Sequence, residues 1–330
     1  MEAAIGALRA SLLGGLDPEA GPPRSVLPVQ QGQLPLMPAE WDSYLGVKVV
    51  TVAPGDAAHG RRRIQGNYLL LDGETLTPLA LLDGNALTSV HTAAVSAVAA
   101  DALAEPDAGR LVVFGTGPQA HAHVEALRCV RPVGDVVVVG RDAERTRAFA
   151  KDVGARVGGA DDVARADLVA CCTTARATLF DGWLLPATAT VVAVGSHEPD
   201  APEVDDTSVR RCTVVVESAS AALREAGDVV LAVQAGALDP GTLVGLADLV
   251  QGKAQLPPGQ PRLFKSVGMA WQDLVVAAAH YEAHDGDGRP RTVSARSRAV
   301  AHQPGTSIRC VPMTDSSRSA SSDGEPDAAV

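Results

Sequence analysis

Leu111-Val112-Val113-Phe114-Gly115-Thr116-Gly117-Pro118-Gln119-Ala120 joins an apolar run directly to a Gly-x-Gly-x-x-Ala turn, and the turn opens onto a helical pattern. Four apolar residues in succession predict a strand buried on both faces. The spacing of Val124, Leu127 and Val130 after Pro118 predicts the helix that follows. In that setting each small residue has a task. Gly115 makes the tight turn, Gly117 lets backbone approach a pyrophosphate, and Ala120 lets the helix sit close to the strand. Phosphate would rest on the helix N-terminus, where free N–H groups and the positive end of the dipole converge. A second apolar run, Val136-Val137-Val138-Val139, stands in register behind the turn. Strand, turn, helix and strand together predict dinucleotide binding in a doubly wound α/β sheet.

Outward from this unit, strand and helix keep alternating. Helix is predicted over 143–153, and strands near 155–157 and over 168–172, 190–194 and 213–216. Before it, Val26-Leu27-Pro28-Val29 and Val47-Lys48-Val49-Val50-Thr51-Val52 alternate as strands separated by Pro and Gly turns, and two further strands, 68–71 and 79–82, flank Asp72-Gly73. These belong to an antiparallel or mixed sheet. An Ala-rich helix over 88–104 follows, suited to close packing against another helix or the sheet. The chain opens on a helix over 2–16 that breaks at Gly14-Gly15, which predicts that a first strand is absent or the start truncated. Residues 263–281 read as one last helix, opened by Phe264-Lys265-Ser266. Residues 286–330, rich in Gly, Arg, Ser, Pro and Asp, read as a disordered tail.

A chain of 330 residues holds two domains and buries about three quarters of its extended surface without disulfide or metal staples. It is 46% hydrophobic but only 3% aromatic, so its core is built from Ala, Val and Leu, as helices on a parallel sheet require. A net charge of -11 repels phosphate backbone, and the one basic cluster, Arg61-Arg62-Arg63, is short enough to be a solvated loop. Nucleic-acid partners are therefore disfavoured. Five cysteines, at 129, 171, 172, 212 and 310, form no Cys-x-x-Cys spacing and fit a reducing cytoplasm. The N-terminus lacks a basic n-region and a spanning apolar segment, which disfavours secretion and membrane insertion. His121 and His123 lie two apart on the predicted helix, point to different sides and cannot share a metal ion.

Several strings, Leu36-Met37-Pro38-Ala39, Gly46-Val47-Lys48-Val49-Val50-Thr51-Val52, Leu79-Ala80-Leu81-Leu82-Asp83-Gly84, Thr92-Ala93-Ala94, the glycine turn, and Phe264-Lys265-Ser266-Val267-Gly268, in this order and at these intervals, resemble the ornithine cyclodeaminase/mu-crystallin family over roughly residues 1–283. The resemblance implies a homodimer whose Rossmann domain, residues 107–264, is inserted into a substrate and dimerisation domain made of 1–106 and 265–285. It implies hydride transfer between NAD(P)(H) and the α-carbon of an amino acid or its imine. Arg24 and Lys48 stand where the family holds the substrate carboxylate, a task suited to a guanidinium fork beside an ammonium. Cofactor contacts are implied for Thr92, Gly115, Thr116, Gly117, Pro118, Gln119, Ala120, Arg141, Thr173, Val194, Gly195, Ser196 and Lys265. Asp273 caps or pairs across the domain junction and receives no catalytic role.

The sequence departs from the family in two places. His91 replaces the Arg that precedes Thr-Ala-Ala and serves as a third carboxylate ligand; an imidazole is shorter and makes no bidentate fork. His197, in Gly195-Ser196-His197-Glu198-Pro199-Asp200, replaces the Asp that holds the δ-amino group in cyclodeaminases. It shifts the reading toward the reductase branch and is a candidate proton donor. At the end of the second Rossmann strand, Arg141 rather than an acidic residue favours NADP(H), with Arg145 and Arg147 nearby and NAD(H) as the alternative. The leading expectation is an NADPH-dependent reductase of a cyclic or open-chain α-imino acid, with Lys48 and His197 as catalytic residues and Arg24, Lys48 and His91 as substrate ligands. A cyclodeaminase using catalytic NAD and a nucleotide binder without turnover are the alternatives.

Overall fold

The computed structural model describes residues 1–53, 64–285, 292–294 and 307–312. Helix α1 (Glu2–Leu13) leads into an antiparallel meander of β1 (Ser25–Val29), β2 (Gly32–Trp41), β3 (Tyr44–Val52), β4 (Ile64–Asp72) and β5 (Pro78–Asp83), which ends in helix α2 (Gly84–Leu103). The second layer runs β6 (Arg110–Phe114), α3 (Pro118–Val130), β7 (Asp135–Val139), α4 (Ala143–Val153), β8 (Arg156–Val157), β9 (Leu168–Cys171), β10 (Thr190–Ala193), α5 (Asp206–Arg211), β11 (Thr213–Val216), α6 (Ala219–Glu225), α7 (Gly227–Gln234), β12 (Val244–Gly245), α8 (Leu246–Val250) and β13 (Arg262–Lys265). Helix α9 (Ala270–Asp285) then returns to the first layer, packing on α1, α2, β2 and β3. Short strands β14 (Thr292–Ser294) and β15 (Ser307–Pro312) close the described chain.

The second layer is a fully parallel sheet of order β12-β11-β13-β10-β9-β6-β7-β8. Its central strands are buried along their whole length, as strands covered on both faces must be. The chain is thus an α/β protein with a Rossmann-type sheet and a separate antiparallel sheet. In the antiparallel sheet the side chains alternate: Met37 and Ala39, Gly46, Lys48 and Val50, Tyr68 and Leu70, and Ala80 and Leu82 face inward, because successive residues of a strand point to opposite faces. One inward position is a lysine.

Helix α2 begins at Gly84, four residues before the expected start at Thr88, because the Asp83 carboxylate accepts from the N–H groups of Asn85 and Ala86 at 2.8 and 3.1 Å, satisfying donors that the first helical turn leaves free. Its alanines let α3 approach closely. Ala93, Ala97 and Ala100 share one core with Ala120, Val124 and Leu127. Among the described residues α2 alone is long and apolar enough to cross a bilayer, and 78% of that stretch is buried inside the protein.

Three expectations are corrected. Residues 32–41 were assigned to Pro and Gly turns but form β2, pairing with β1 and β3. Pro35 interrupts the β2–β3 ladder, and Pro38 lies beyond Leu36, where the pairing with β1 ends; proline is tolerated where no ladder N–H is required. Phe264-Lys265 does not open a helix: it ends β13, in the middle of the parallel sheet between β11 and β10, and the helix starts only after Gly268, whose φ of +74° turns the chain. In the C-terminal region β15 pairs antiparallel with β5, Cys310 opposite Leu82, and with β14, so residues 292–294 and 307–312 are not disordered. The rest of 286–330, and the cluster Arg61-Arg62-Arg63, lie outside the described residues.

Candidate active site

All parallel strands end on one edge, and the loops that leave this edge carry the polar residues of interest, as in open α/β sheets generally. After β6, Gly115 adopts φ +113°, and a Cβ there would lie 2.4 Å from the Cys172 carbonyl oxygen. Gly117 differs. A Cβ on it would meet nothing within 4 Å, so the protein leaves open the space that a phosphate needs. Gly117 is the N-cap of α3 and has no side-chain cap, with Pro118 in the first turn. Ala120 is fully buried, while Gln119 Nε2 donates to the Thr88 carbonyl of α2 at 3.2 Å. Thr116 is half-buried beside Gly140, and Thr92 is buried on α2. This turn fits a dinucleotide: it has an open glycine and uncapped helical N–H groups. At the next strand end Arg141 is exposed, whereas Asp142 caps α4 by accepting from Glu144 and Arg145 N–H at 3.0 and 2.9 Å.

Beneath the loops after β9 and β10 lies a buried ionic network that the sequence did not disclose. Glu203 accepts from Thr173 N–H at 3.0 Å, Thr173 Oγ1 at 2.7 Å and Gly195 N–H at 2.6 Å. Asp228 Oδ1 in turn accepts from Glu203 and Val204 N–H at 2.6 and 2.9 Å. Lys265 Nζ lies 2.8 Å from Asp228 Oδ2, both side chains fully buried. Burial pushes the Glu203 carboxyl up to about 7, against the pull of the Lys265 ammonium. Lys265 was expected to touch cofactor. Its ammonium pairs with Asp228, which holds the Glu203 segment beneath Thr173 and Gly195. Val194 N–H donates to Cys171 O, Ser196 is buried with its hydroxyl 3.3 Å from Glu198 O, and His197 is exposed on the same loop.

The loop after β13 organises the second group. Glu217, buried after β11, accepts from Ser266 Oγ at 2.7 Å, from Val267 and Gly268 N–H at 3.1 and 3.2 Å, and from Gln272 Nε2. The loop's carbonyls then face Arg24, whose Nη2 donates to Val267 O at 2.9 Å and Gly268 O at 2.7 Å, while its Nε pairs with Glu225 at 2.8 Å. Arg24, Met37, Glu225, Gly268 and Met269 line a cleft of about 200 Å³. One turn into α9, fully buried Asp273 meets two of the expected substrate ligands: Lys48 Nζ at 3.1 Å from Oδ1 and 3.3 Å from Oδ2, and His91 Nε2 at 3.2 Å from Oδ1. The His91 contact is ionic in distance but not aligned as a full hydrogen bond, and Nδ1 of His91 is buried with no hydrogen-bond partner among the described residues. Burial alone would raise the Asp273 carboxyl, but His91 and Lys48 outweigh it and hold the group below the usual carboxylate range. Tyr68, directly opposite Lys48 in the β3–β4 ladder, lays its ring across Gly46; burial and the Asp273 charge raise its hydroxyl well above the ordinary phenol value.

The structure therefore gathers Arg24, Lys48 and His91 around residues 266–273, on the edge that also carries the glycine turn. Asp273, Tyr68, Glu217 and Glu203 are the additions. Of these only Asp273 had a sequence signal, a lone acid on an apolar helix face. His121 and His123 go separate ways: His121 pairs with Asp152 at 3.4 Å, and buried His123 bridges Gln119 O and Ser96 Oγ, burial lowering its imidazole to about 4. Among the described residues no three His, Cys, Asp or Glu side chains are grouped to hold a metal ion.

Comparison with known proteins agrees with this architecture. A Δ1-pyrroline-2-carboxylate reductase of Bacillus cereus is 34% identical over 277 residues, covering 79% of this chain and 85% of its own. Mouse ketimine reductase mu-crystallin is 34% identical over 270 residues, covering 79% and 84%. Among solved structures, the Δ1-pyrroline-2-carboxylate reductase of Thermococcus litoralis, in complex with NADH and L-proline, superimposes with a TM-score of 0.81 at 29% identity, covering 88% of this chain and 95% of its own. Residues 1–287 match the ornithine cyclodeaminase/mu-crystallin family. The chain belongs to the ornithine cyclodeaminase/mu-crystallin family.

Proposed function

We propose that the protein is an NAD(P)H-dependent reductase of a small α-imino acid. The observation that carries this reading is the meeting of Lys48 and His91 at Asp273, beside Arg24 and its loop, on the sheet edge that also bears the open glycine turn. Relatives at 34% identity that reduce pyrroline-2-carboxylate or ketimines support it. Gly115, Gly117 and the α3 N-terminus would hold the pyrophosphate, and Thr173, Val194, Gly195 and Ser196 would border the nicotinamide. When bound, the reduced nicotinamide supplies the hydride. The chain's own part is to hold the substrate carboxylate with Lys48 and Arg24, orient the C=N bond and keep water out. Arg24 must exchange its Glu225 contact for the substrate to take part.

The test is direct. Purified protein mixed with NADPH or NADH and pyrroline-2-carboxylate or piperideine-2-carboxylate should bleach the nicotinamide absorbance. No bleaching with either cofactor, while a control reductase turns over, sinks the reading. Within it, Lys48→Met should raise KM for the imino acid about 10-fold to 150-fold, the worth of a hydrogen bond to a charged group of ~1.5–3 kcal/mol.

Exposed Arg141 supports NADP(H) over NAD(H), because a guanidinium can pair with the 2′-phosphate. Arg141→Ala should weaken NADPH binding about tenfold, ~1.4 kcal/mol, and leave NADH binding unchanged in calorimetry; equal losses for both would remove Arg141 from the phosphate site. A homodimer is also inferred. Leu27 and Val29 of β1, with Val49 and Leu81, expose apolar side chains on the outer face of the antiparallel sheet, a surface that a second copy would cover. Sedimentation as a monomer at micromolar concentration would contradict it.

A further inference from the structure

Reducing a neutral imine takes a proton as well as a hydride, and the exposed loop residue His197 is not the only imidazole on this edge. His91 sits on α2, 1% exposed, against the loop after β13. Its Nε2 faces the Asp273 carboxylate at 3.2 Å, and its Cε1 lies 4.0 Å from where a Cβ on Gly268 would be. With Nε2 turned to the carboxylate, Nδ1 is the ring nitrogen left to meet a substrate atom. Neither ring nitrogen makes a hydrogen bond among the described residues, and Nδ1, unlike Nε2 with its Asp273 contact, has no ionic partner there either. A buried ring nitrogen without a partner is costly in a finished structure. It is what a site waiting for a substrate atom would present.

The other charged groups at the cluster fit this role. Lys48, from β3, shares Asp273 Oδ1 with His91 and contacts Oδ2 as well. Tyr68, from β4, keeps its proton beside that carboxylate. Arg24 approaches the same loop from the N-terminal segment and is tied to Glu225. Asp273 is thus the anion that an imidazolium needs beside it.

Resting on the imine-reductase reading, we propose that His91, positioned by Asp273, is the catalytic acid that protonates the imine nitrogen from Nδ1. The electrophilic carbon accepts hydride, with its electron pair, from the dihydronicotinamide. The C=N π pair becomes the bond from nitrogen to the proton that leaves Nδ1. The products are the secondary amine, oxidised nicotinamide and a neutral imidazole, which solvent reprotonates. The replacement of the family's arginine at this position is then a gain of acid chemistry at the expense of a carboxylate fork.

An imine that already carries a fixed positive charge on nitrogen needs no proton, and this separates the proposal from simple carboxylate binding. His91→Gln keeps an amide nitrogen where Nε2 stood, so it retains a partner for Asp273 but cannot act as an acid. The variant should reduce pyrroline-2-carboxylate at a rate lower by about 10²–10⁴-fold, the usual worth of general acid catalysis. It should reduce 1-methyl-1-pyrrolinium-2-carboxylate within about threefold of the unaltered protein. Calorimetric binding of the planar, non-reducible pyrrole-2-carboxylate should stay within the same range, which also certifies folding. Asp273→Asn, as a second variant, should show the same split with a smaller drop. Equal losses on both imines, or no loss on either, overturn the proposal, as does His91→Arg retaining full activity on pyrroline-2-carboxylate. If the unaltered protein reduces neither imine, the reductase reading itself fails and the acid falls with it.

Discussion

Lys265→Met is expected to destabilise the chain by about 3–5 kcal/mol at neutral pH, because removing one partner of a buried ion pair leaves the other charge uncompensated. Here two buried carboxylates are left, Asp228 and Glu203, and the Asp228 charge already pushes the Glu203 carboxyl upward. The cost should therefore depend on pH. A carboxyl whose folded-state pKa is raised stabilises the fold most when it is protonated, and that contribution is lost as pH rises through the folded value. Glu203 stands at about 7 in the intact network against an ordinary 4.5, so its contribution declines between roughly these limits. Without Lys265 the Glu203 carboxyl should shift further upward, and the variant should lose more stability at pH 8 than at pH 5. Denaturant unfolding at the two pH values reads this directly; a cost under 1 kcal/mol at both would mean that water, not Lys265, compensates the acids. The loops of Thr173 and Gly195 rest on Glu203, so nucleotide affinity should fall together with stability.

The two glycines of the fingerprint should fail in opposite ways. Gly115→Ala places a methyl group 2.4 Å from a backbone oxygen at a φ of +113°. That oxygen belongs to Cys172, whose own N–H is bonded to Phe114 O, so neither side can yield without opening the β6–β9 pairing. A loss of at least ~2 kcal/mol is expected from backbone strain alone, visible as a lower unfolding midpoint before any ligand is added. Gly117→Ala meets no protein atom within 4 Å and should leave stability within about 0.5 kcal/mol of the unaltered chain. Its methyl group instead occupies the approach to the pyrophosphate. Dinucleotide affinity should fall about 100-fold, ~2.7 kcal/mol. If calorimetry shows Gly117→Ala binding NADPH and NADH as tightly as before, the turn does not hold the phosphates.

What was legible in the sequence follows the range over which its signals act. The run from β6 through α4 was legible because each element is local: apolar strands, a glycine turn, an Asp142 cap two and three residues ahead of the amides it serves. Arg24, Lys48 and His91 were legible through the family resemblance, and Lys48 also through its place in an alternating strand, though whether it faced in or out was not. Strand β2 was hidden because Pro35 and Pro38 look like turns until the neighbouring ladders show that their missing N–H groups are not needed there. Strand β13 was hidden because four residues ending in lysine run into a helix without a proline between them. Glu203, Glu217 and Asp228 look like any surface acid in one dimension. Their meaning depends on partners brought together only by the fold, such as Thr173 and Gly195 for Glu203 or Val267 and Gly268 for Glu217.

The place of β13 bears on how the molecule is made. Strands β10 and β11 are joined in the sheet only through β13, which the ribosome delivers after both of them and after β12. Until residues 262–265 emerge, the nascent sheet has a vacant lane at its centre, with two unpaired strand edges facing it. Such open edges are the parts of a growing chain most prone to wrong pairing. Filling that lane brings Lys265 to Asp228, and the next eight residues carry Asp273 to Lys48 and His91. Closure of the sheet and assembly of the Asp273 cluster are therefore successive late events of synthesis: a chain released short of β13 would have neither, and one released between β13 and α9 would have only the first.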